Sequence, residues 1–463
     1  MEKLFKIKQR GSTVRAEVLG GLTTFFAMAY IIFVNPSMLC VDLGDGFYPA
    51  MPKENIIGVA VATCLSAVIG TLLTGFLANV PYAQAPGMGL NAFFTYTVCL
   101  TMGFTWQQAL TIVFFSGLIF LIVAISPIRK KIIESIPASL KAAISAGIGL
   151  FIAFIGLLNS KLVNFSSGVP ALGDITHGAQ LLCVIGILII VVLMVLQVKG
   201  AIFIGILATA VIGLVPSLLG WNWFGEFVTE GSAYDLASIG DISKVAFQFD
   251  FAGVFSNGVL PFITAVISFA LVDCFDTVGT LIGTASAAGL LEEDGSMDGG
   301  DKAMIADAVA TVSGSALGTS TVTTFVESAS GISEGARTGL SSIVVAFMFA
   351  LSLFITPVFG VLGNNSWFLY AITAPALIVV GTLMMKSVAR IAWDKMEEAV
   401  PCFLTIAMMP FAYSISDGIA FGFISYVVIK LFRGKAKEVP VLMYIISVLF
   451  LAKYVLMNLK IGA

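Results

Sequence analysis

Charge is the scarcest property of this chain. Only 11% of its 463 residues are Asp, Glu, Lys or Arg, against roughly 25% in soluble globular proteins, while 58% are hydrophobic and 37 are phenylalanine. So few charges exclude one large soluble domain and leave a polytopic protein of the lipid bilayer. Histidine is almost missing: His177 is alone, in a polar loop before an apolar run, so proton traffic falls to carboxylates. The six cysteines, Cys40, Cys64, Cys99, Cys183, Cys274 and Cys402, stand singly. Nothing in their spacing suggests a disulfide framework or a zinc site, and they read as small core residues. A net charge of −3 spread along the loops gives no footprint for nucleic acid. There is no phosphate loop of the GxxxxGK(S/T) form, so nothing points to ATP hydrolysis by the chain itself. No metal or cofactor is expected.

What is present is a series of apolar runs near the roughly 20 residues needed to cross a bilayer. They fall at about 17–41, 56–79, 106–126, 138–158, 178–197 and 201–219, then at 255–290, 303–318, 340–362 and 367–388. The basic, amphipathic N-terminus precedes a run too long for a cleaved signal, so that run is retained as the first span. Residues 399–433 read as two short crossings hinged near Asp417-Gly418, with a further run at 439–458 whose crossing stays open. With the N-terminus inside and each broken element counted as one crossing, Lys and Arg at the N-terminus, at Arg129-Lys130-Lys131, at Lys199 and at Lys386 with Arg390 all fall in the cytoplasm, so a cytoplasmic N-terminus is the self-consistent expectation.

Two stretches interrupt this pattern. Residues 79–98 carry Pro81, Pro86, Gly87 and Gly89, with Asn91 in the helical turn that follows. Thr319 to Gly339 begins β-branched from Thr321 to Val326, then sets Glu327 at the head of a Ser/Ala/Gly-rich helix that Ser328 or Ser330 can cap. Extended backbone at membrane depth survives only where protein buries it or a polar cavity wets it. An interrupted segment falling third in each half points to an inverted repeat with its site at the repeat interface.

The intramembrane acids carry the chemistry. Asp273 and Asp276 are three apart and share a helical face. A charge at mid-bilayer costs about 2.5–3.5 kcal/mol even on the lenient scale, so they should face the cavity of Glu327 and not lipid. For Asp276, bonding a broken helix end and touching a ligand both stay open. Glu334 and Arg337 read as a local ion pair, and Asp298, Asp301, Asp307 and Glu292-Glu293-Asp294 as loop and helix-end charges. Carboxyls shielded from water hold a proton more readily, which makes the proton the expected coupling ion.

The stretches AEVLGGLTTFFAMAYIIFVNP (16–36), APGMGLNAFF (85–94), ALVDCFDTVGTLIG (270–283) and TTFVESASGISEGARTGL (323–340) resemble the azaguanine/hypoxanthine/adenine permease branch of the nucleobase–cation symporter superfamily. The resemblance covers almost the whole chain. It implies an all-α protein of about 14 transmembrane segments in a 7+7 inverted repeat, with core and gate domains and the third and tenth spans broken into a short strand plus a half-helix. The expected organisation is an N-terminal segment at 1–16, a first repeat at 17–219, an extramembrane connection at 220–254 and a second repeat at 255–463. The core would take about 17–126 and 255–362, the gate about 138–219 and 367–458.

The resemblance further implies a substrate carboxylate at Asp273 supported by Asp276, a half-helix carboxylate at Glu327 and a third-span asparagine at Asn91. The histidine that uracil permeases place near the eighth-span acid has no counterpart here. The expected binding set is therefore Glu327, Asp273, Asn91, Phe325 and Ser328, with Asp273, Asp276 and Glu327 coupling protons. Phe325, Phe94 or Phe26 would give a planar purine its stacking face. The chain thus reads as a proton symporter of purine bases in a bacterial cytoplasmic membrane, with homodimers known among relatives. An anion exchanger or channel of the sulfate-permease type is the alternative, and buried acids without a basic partner argue against it. Intramembrane aspartyl proteolysis would want two aspartates on different helices, whereas Asp273 and Asp276 share one.

Overall fold

The computed structural model describes residues 2–40, 50–126, 136–165, 169–176, 178–226, 234–287, 297–362 and 365–461. His177, Arg129-Lys130-Lys131 and Glu292-Glu293-Asp294 lie outside them.

The chain folds almost wholly as helix. A short α1 (Glu2–Phe5) leads into α2 (Val14–Met28), whose first turn is capped by the Thr13 hydroxyl accepting from the Ala16 amide at 3.2 Å. The helix breaks at Ala29-Tyr30 and resumes as α3 (Ile31–Cys40). Then come α4 (Ile56–Leu73), β1 (Gln84–Pro86) and α5 (Met88–Ala92), which runs on as a wider π-helical coil through Thr101. A capping box between Thr105 and Gln108 starts α6 (Trp106–Ile125). Next are α7 (Ala138–Asn159), a two-residue hairpin of β2 (Val163–Asn164) and β3 (Ala171–Leu172), α8 (Gly178–Val195) and α9 (Ala201–Leu218).

The second half repeats this order: α10 (Val259–Ala287), α11 (Gly300–Leu317), β4 (Val322–Thr324), α12 (Ser328–Ser333) and α13 (Gly339–Ser352). The short α14 (Val358–Leu362), α15 (Ser366–Met384), α16 (Met396–Phe411), α17 (Ile415–Phe432) and α18 (Val441–Ile461) complete it. Among the described residues nine helical stretches are long and apolar enough to cross a membrane. The chain is an integral membrane protein.

Packing follows the repeat. Helix α11 lies against α4 and α6, and α13 against α2 and α4. Helix α15 lies against α7 and α8, and α16 against α7 and α17. Small residues allow these approaches: a methyl on Gly20 of α2 would meet Gly331 O and Ala336 Cβ, each at 2.7 Å. Helices α8 and α9 bury only 22% and 33% of their apolar length and turn Leu188, Val195, Val211 and Leu218 outward, as a lipid-facing rim requires.

In the connection after α9 a 3-10 helix (Leu236–Lys244) packs on α4, where Gly58 has only 2.6 Å between a built Cβ and Asp241 O. Two expectations need correction. The hinge between α16 and α17 is at Tyr413, in the left-handed region at φ 53°, and not at Asp417-Gly418. Ser414 caps the new helix by accepting from Asp417 N at 3.2 Å, so Asp417 sits in a first turn, where the helix dipole favours an acid. The ion pair expected of Glu334 and Arg337 does not form. Glu334 pairs with Lys199, and Arg337 donates Nη1 to the carbonyls of Ile332 (2.6 Å) and Ala336 (2.7 Å).

Candidate functional site

The two broken elements meet at the centre of the molecule. β1 and β4 pair antiparallel, with Gln84 opposite Thr324, Ala85 opposite Thr323 and Pro86 opposite Val322. All six residues are buried. Strands too short to form a sheet persist here because side chains take over the backbone groups that lipid cannot satisfy. The Thr71 hydroxyl, from α4, bonds both Gln84 N and Gln84 O at 3.0 Å. Phe325 N donates to Ala83 O at 3.0 Å, Gly87 N to Thr321 O at 2.9 Å, and Ala83 N to the Ser328 hydroxyl at 3.1 Å. Ser342 Oγ of α13 serves the carbonyls of Val80 and Tyr82, both at 2.8 Å.

Four acids stand around this crossing. Asp307, on α11, is fully buried and collects donors from three elements: Thr277 Oγ1 of α10 at 2.8 Å, Thr324 Oγ1 of β4 at 2.8 Å and Gln84 Nε2 of β1 at 3.2 Å. It is neither a loop charge nor a helix-end charge, contrary to its expected place. Asp273 is likewise fully buried. Its Oδ2 accepts from Thr311 Oγ1 at 2.9 Å, while Oδ1 has no partner among the described residues. Thr311 also reaches the Val322 carbonyl at 2.8 Å, tying α10, α11 and β4 together.

Asp276, three residues on along α10, is half-buried. Glu327 is half-buried at the residue before α12, with Oε1 accepting from the Tyr30 hydroxyl at 2.7 Å. The structure thus sets Asp273 on Thr311, joins Asp307 to Thr277, Thr324 and Gln84, and holds Glu327 with Tyr30.

The other expected residues divide. Asn91 is fully buried, and its Oδ1 accepts from the Ser320 hydroxyl while Nδ2 has no partner among the described residues, an orphan donor at the crossing. Phe325 is buried, its ring centroid 6.4 Å from that of Tyr30. Phe94 is fully buried, and Phe26 is exposed on the outer side of α2 near Phe203. Ser328 does not cap α12, since its hydroxyl is the acceptor for β1; Ser330 bonds the Glu327 carbonyl at 2.6 Å. The helix after Glu327 is also far shorter than the sequence suggests. It stops at Ser333 because Gly335 turns left-handed at φ 96°, and Ala336 N closes on Gly331 O.

Asp307, Gln84, Thr311 and Tyr30 were missed by reading the sequence. Asp307 had a signal, being an acid inside the apolar run 303–318. For Tyr30 there was none, one tyrosine in an apolar span being ordinary.

Membrane helices interrupted by a buried strand pair, with carboxylates, amides and hydroxyls gathered around it, define a secondary-transporter fold. The likeness to solved structures bears this out. Superposition on the transmembrane domain of a cyanobacterium bicarbonate transporter, BicA, gives a TM-score of 0.60 at 14% identity over 87% of this chain and 97% of that one. Murine Solute Carrier 26 family member A9, an anion transporter in the inward-facing state, gives 0.60 at 12% identity over 90% and 68%. At such identities the likeness is one of fold alone.

The Permease family model, Xan_ur_permease, matches residues 15–421, and the chain belongs to this family. Its members are permeases and not enzymes. The guanine/hypoxanthine permease PbuG of Bacillus subtilis is 42% identical over 461 residues, covering 99% of this chain and 100% of that protein. The adenine permease AdeP of Escherichia coli is 38% identical over 459 residues, covering 99% and 96%.

Proposed function

We propose that this chain imports purine nucleobases, adenine, guanine or hypoxanthine, by proton symport across a bacterial cytoplasmic membrane with its N-terminus inside. The observation that carries this reading is the Glu327 carboxylate at the residue before α12, held by the Tyr30 hydroxyl at 2.7 Å next to the strand crossing, in a chain whose full-length relatives are named for purine permeation. A purine is planar and uncharged, and its edge alternates N–H donors with ring-nitrogen or carbonyl acceptors. Carboxylates accept from the donors, the orphan Asn91 amide can donate in return, and Phe325 offers an apolar face. A site built on hydrogen bonds rejects analogues that leave its buried groups unpaired.

In this reading Glu327 holds the base and Asp276 stands next to it. Asp273 exchanges the coupling proton, its unpaired Oδ1 being free to carry one. Asn91, Ser328 and Asp307 keep the strand–helix crossing in register. Translocation is movement of a core, about 17–126 with 255–362, against a gate, about 138–219 with 367–458. The separate packing of α11 and α13 on α2, α4 and α6, and of α15 and α16 on α7, α8 and α17, supports that division.

The test is uptake of radiolabelled adenine, hypoxanthine, guanine and uracil into cells lacking their own permeases, for the unaltered protein and for Glu327→Gln, Asp276→Asn and Asp273→Asn. Saturable purine uptake that collapses with the proton gradient and with Glu327→Gln is expected. Purine uptake indifferent to all three carboxylates, or no uptake at all, would sink the reading. A flux evoked by inorganic anions instead would favour an anion transporter of the kind its solved neighbours are named for.

A further inference from the structure

Tyr30 lies in the break between α2 and α3, where Phe33 N and Val34 N both bond its carbonyl at 3.0 Å. Its side chain is 1% exposed, yet the hydroxyl is not spent on the nearby backbone. It crosses to the second repeat and donates to Glu327 Oε1 at 2.7 Å. Among the described residues Tyr30 is the one side chain bonded to the Glu327 carboxylate. A bond from a neutral donor to a carboxylate is strong and directional, so the contact holds the carboxylate in one rotamer with Oε1 engaged and no second side chain on Oε2. The Tyr30 ring, tilted 45° to Phe325, walls the same spot.

We infer that Tyr30 is the positioning residue for Glu327 and that, by occupying Oε1, it sets the permease's preference among oxopurines. This rests on the proposed contact between Glu327 and the base. A base offering one N–H at the recognised edge, as hypoxanthine does, needs only Oε2. A base offering two adjacent donors, as guanine does with N1–H and its 2-amino group, needs both oxygens, and Tyr30 competes with it for the first. Removing the hydroxyl frees Oε1 and loosens the carboxylate, which penalises the single-donor base while giving the two-donor base a second bond in compensation.

The experiment compares hypoxanthine and guanine KM and Vmax for the full chain and for Tyr30→Phe, with Glu327→Gln as control and the amount of each protein in the membrane measured by a fluorescent fusion. The expected result for Tyr30→Phe is a KM ratio, hypoxanthine to guanine, raised about tenfold with Vmax within about twofold. The purine-induced rise in Tm of the purified full chain reads binding without translocation and should show the same reordering. An unchanged ratio in both measurements, with Glu327→Gln inactive, overturns the role of Tyr30 and leaves the transport reading standing. Absence of purine uptake and of any Tm shift in the unaltered protein overturns both.

Discussion

Gln84 of β1 stands opposite Thr324 of β4, and the two converge on one oxygen of Asp307, Gln84 Nε2 at 3.2 Å and Thr324 Oγ1 at 2.8 Å. Since Thr277 of α10 bonds the other oxygen at 2.8 Å, a single carboxylate joins both broken spans to the long helix that carries Asp273 and Asp276. The strand pair is held from its side by this acid, as well as along its edges by backbone bonds.

Asp307→Ala strips the acceptor from three buried donors, each worth about 1–3 kcal/mol when left unpaired. The Tm of the purified protein should fall by at least about 5 °C and uptake by more than about tenfold. Asp307→Asn keeps an acceptor oxygen and should lie between. An unchanged Tm in the alanine variant would contradict the role given to this residue.

Ser328 separates a structural from a ligand-binding contribution. Its hydroxyl accepts from Ala83 N at 3.1 Å, so Ser328→Ala should destabilise by about 1–3 kcal/mol, and Ser328→Thr, which keeps the oxygen, by much less. Denaturation by heat measures both. If the alanine variant matches the unaltered protein in Tm and loses only substrate affinity, the hydroxyl serves the ligand and not the strand.

The contact of α2 with α12 has no spare volume. A methyl at Gly20 would lie 2.7 Å from Gly331 O, and overpacking of this kind costs about 1–3 kcal/mol or more. Gly20→Val should reduce the folded protein recovered from membranes severalfold by size-exclusion fluorescence, whereas Gly240→Ala, with open space around it and no left-handed backbone, should reduce it little.

The Lys199–Glu334 pair joins the turn between α8 and α9 to the end of α12, with 57% and 29% of the side chains exposed. Exposed pairs contribute about 0–1 kcal/mol, so Lys199→Ala and Glu334→Ala should each leave Tm within about 3 °C of the unaltered protein. A larger drop in both would show that the pair matters to stability as buried ion pairs do.

Composition and patterning determined a great deal without help. Scarce charge and repeated apolar runs fix a membrane protein, and Pro81, Pro86 and the β-branched run before Glu327 mark the two places where helices must break. These are local properties, legible because bilayer thickness and backbone chemistry act on each segment separately. Which strand pairs with which, which oxygen meets which donor and where α12 ends are decided between segments far apart in sequence. Asp307 looked like an ordinary helix-end acid until Gln84, 223 positions away, was found bonded to it. Asp273 and Asp276 are indistinguishable by spacing, yet packing buries one fully against Thr311 and leaves the other half-buried. Tyr30 gave no signal at all, because its hydroxyl gains meaning only from the carboxylate that the other repeat delivers to it.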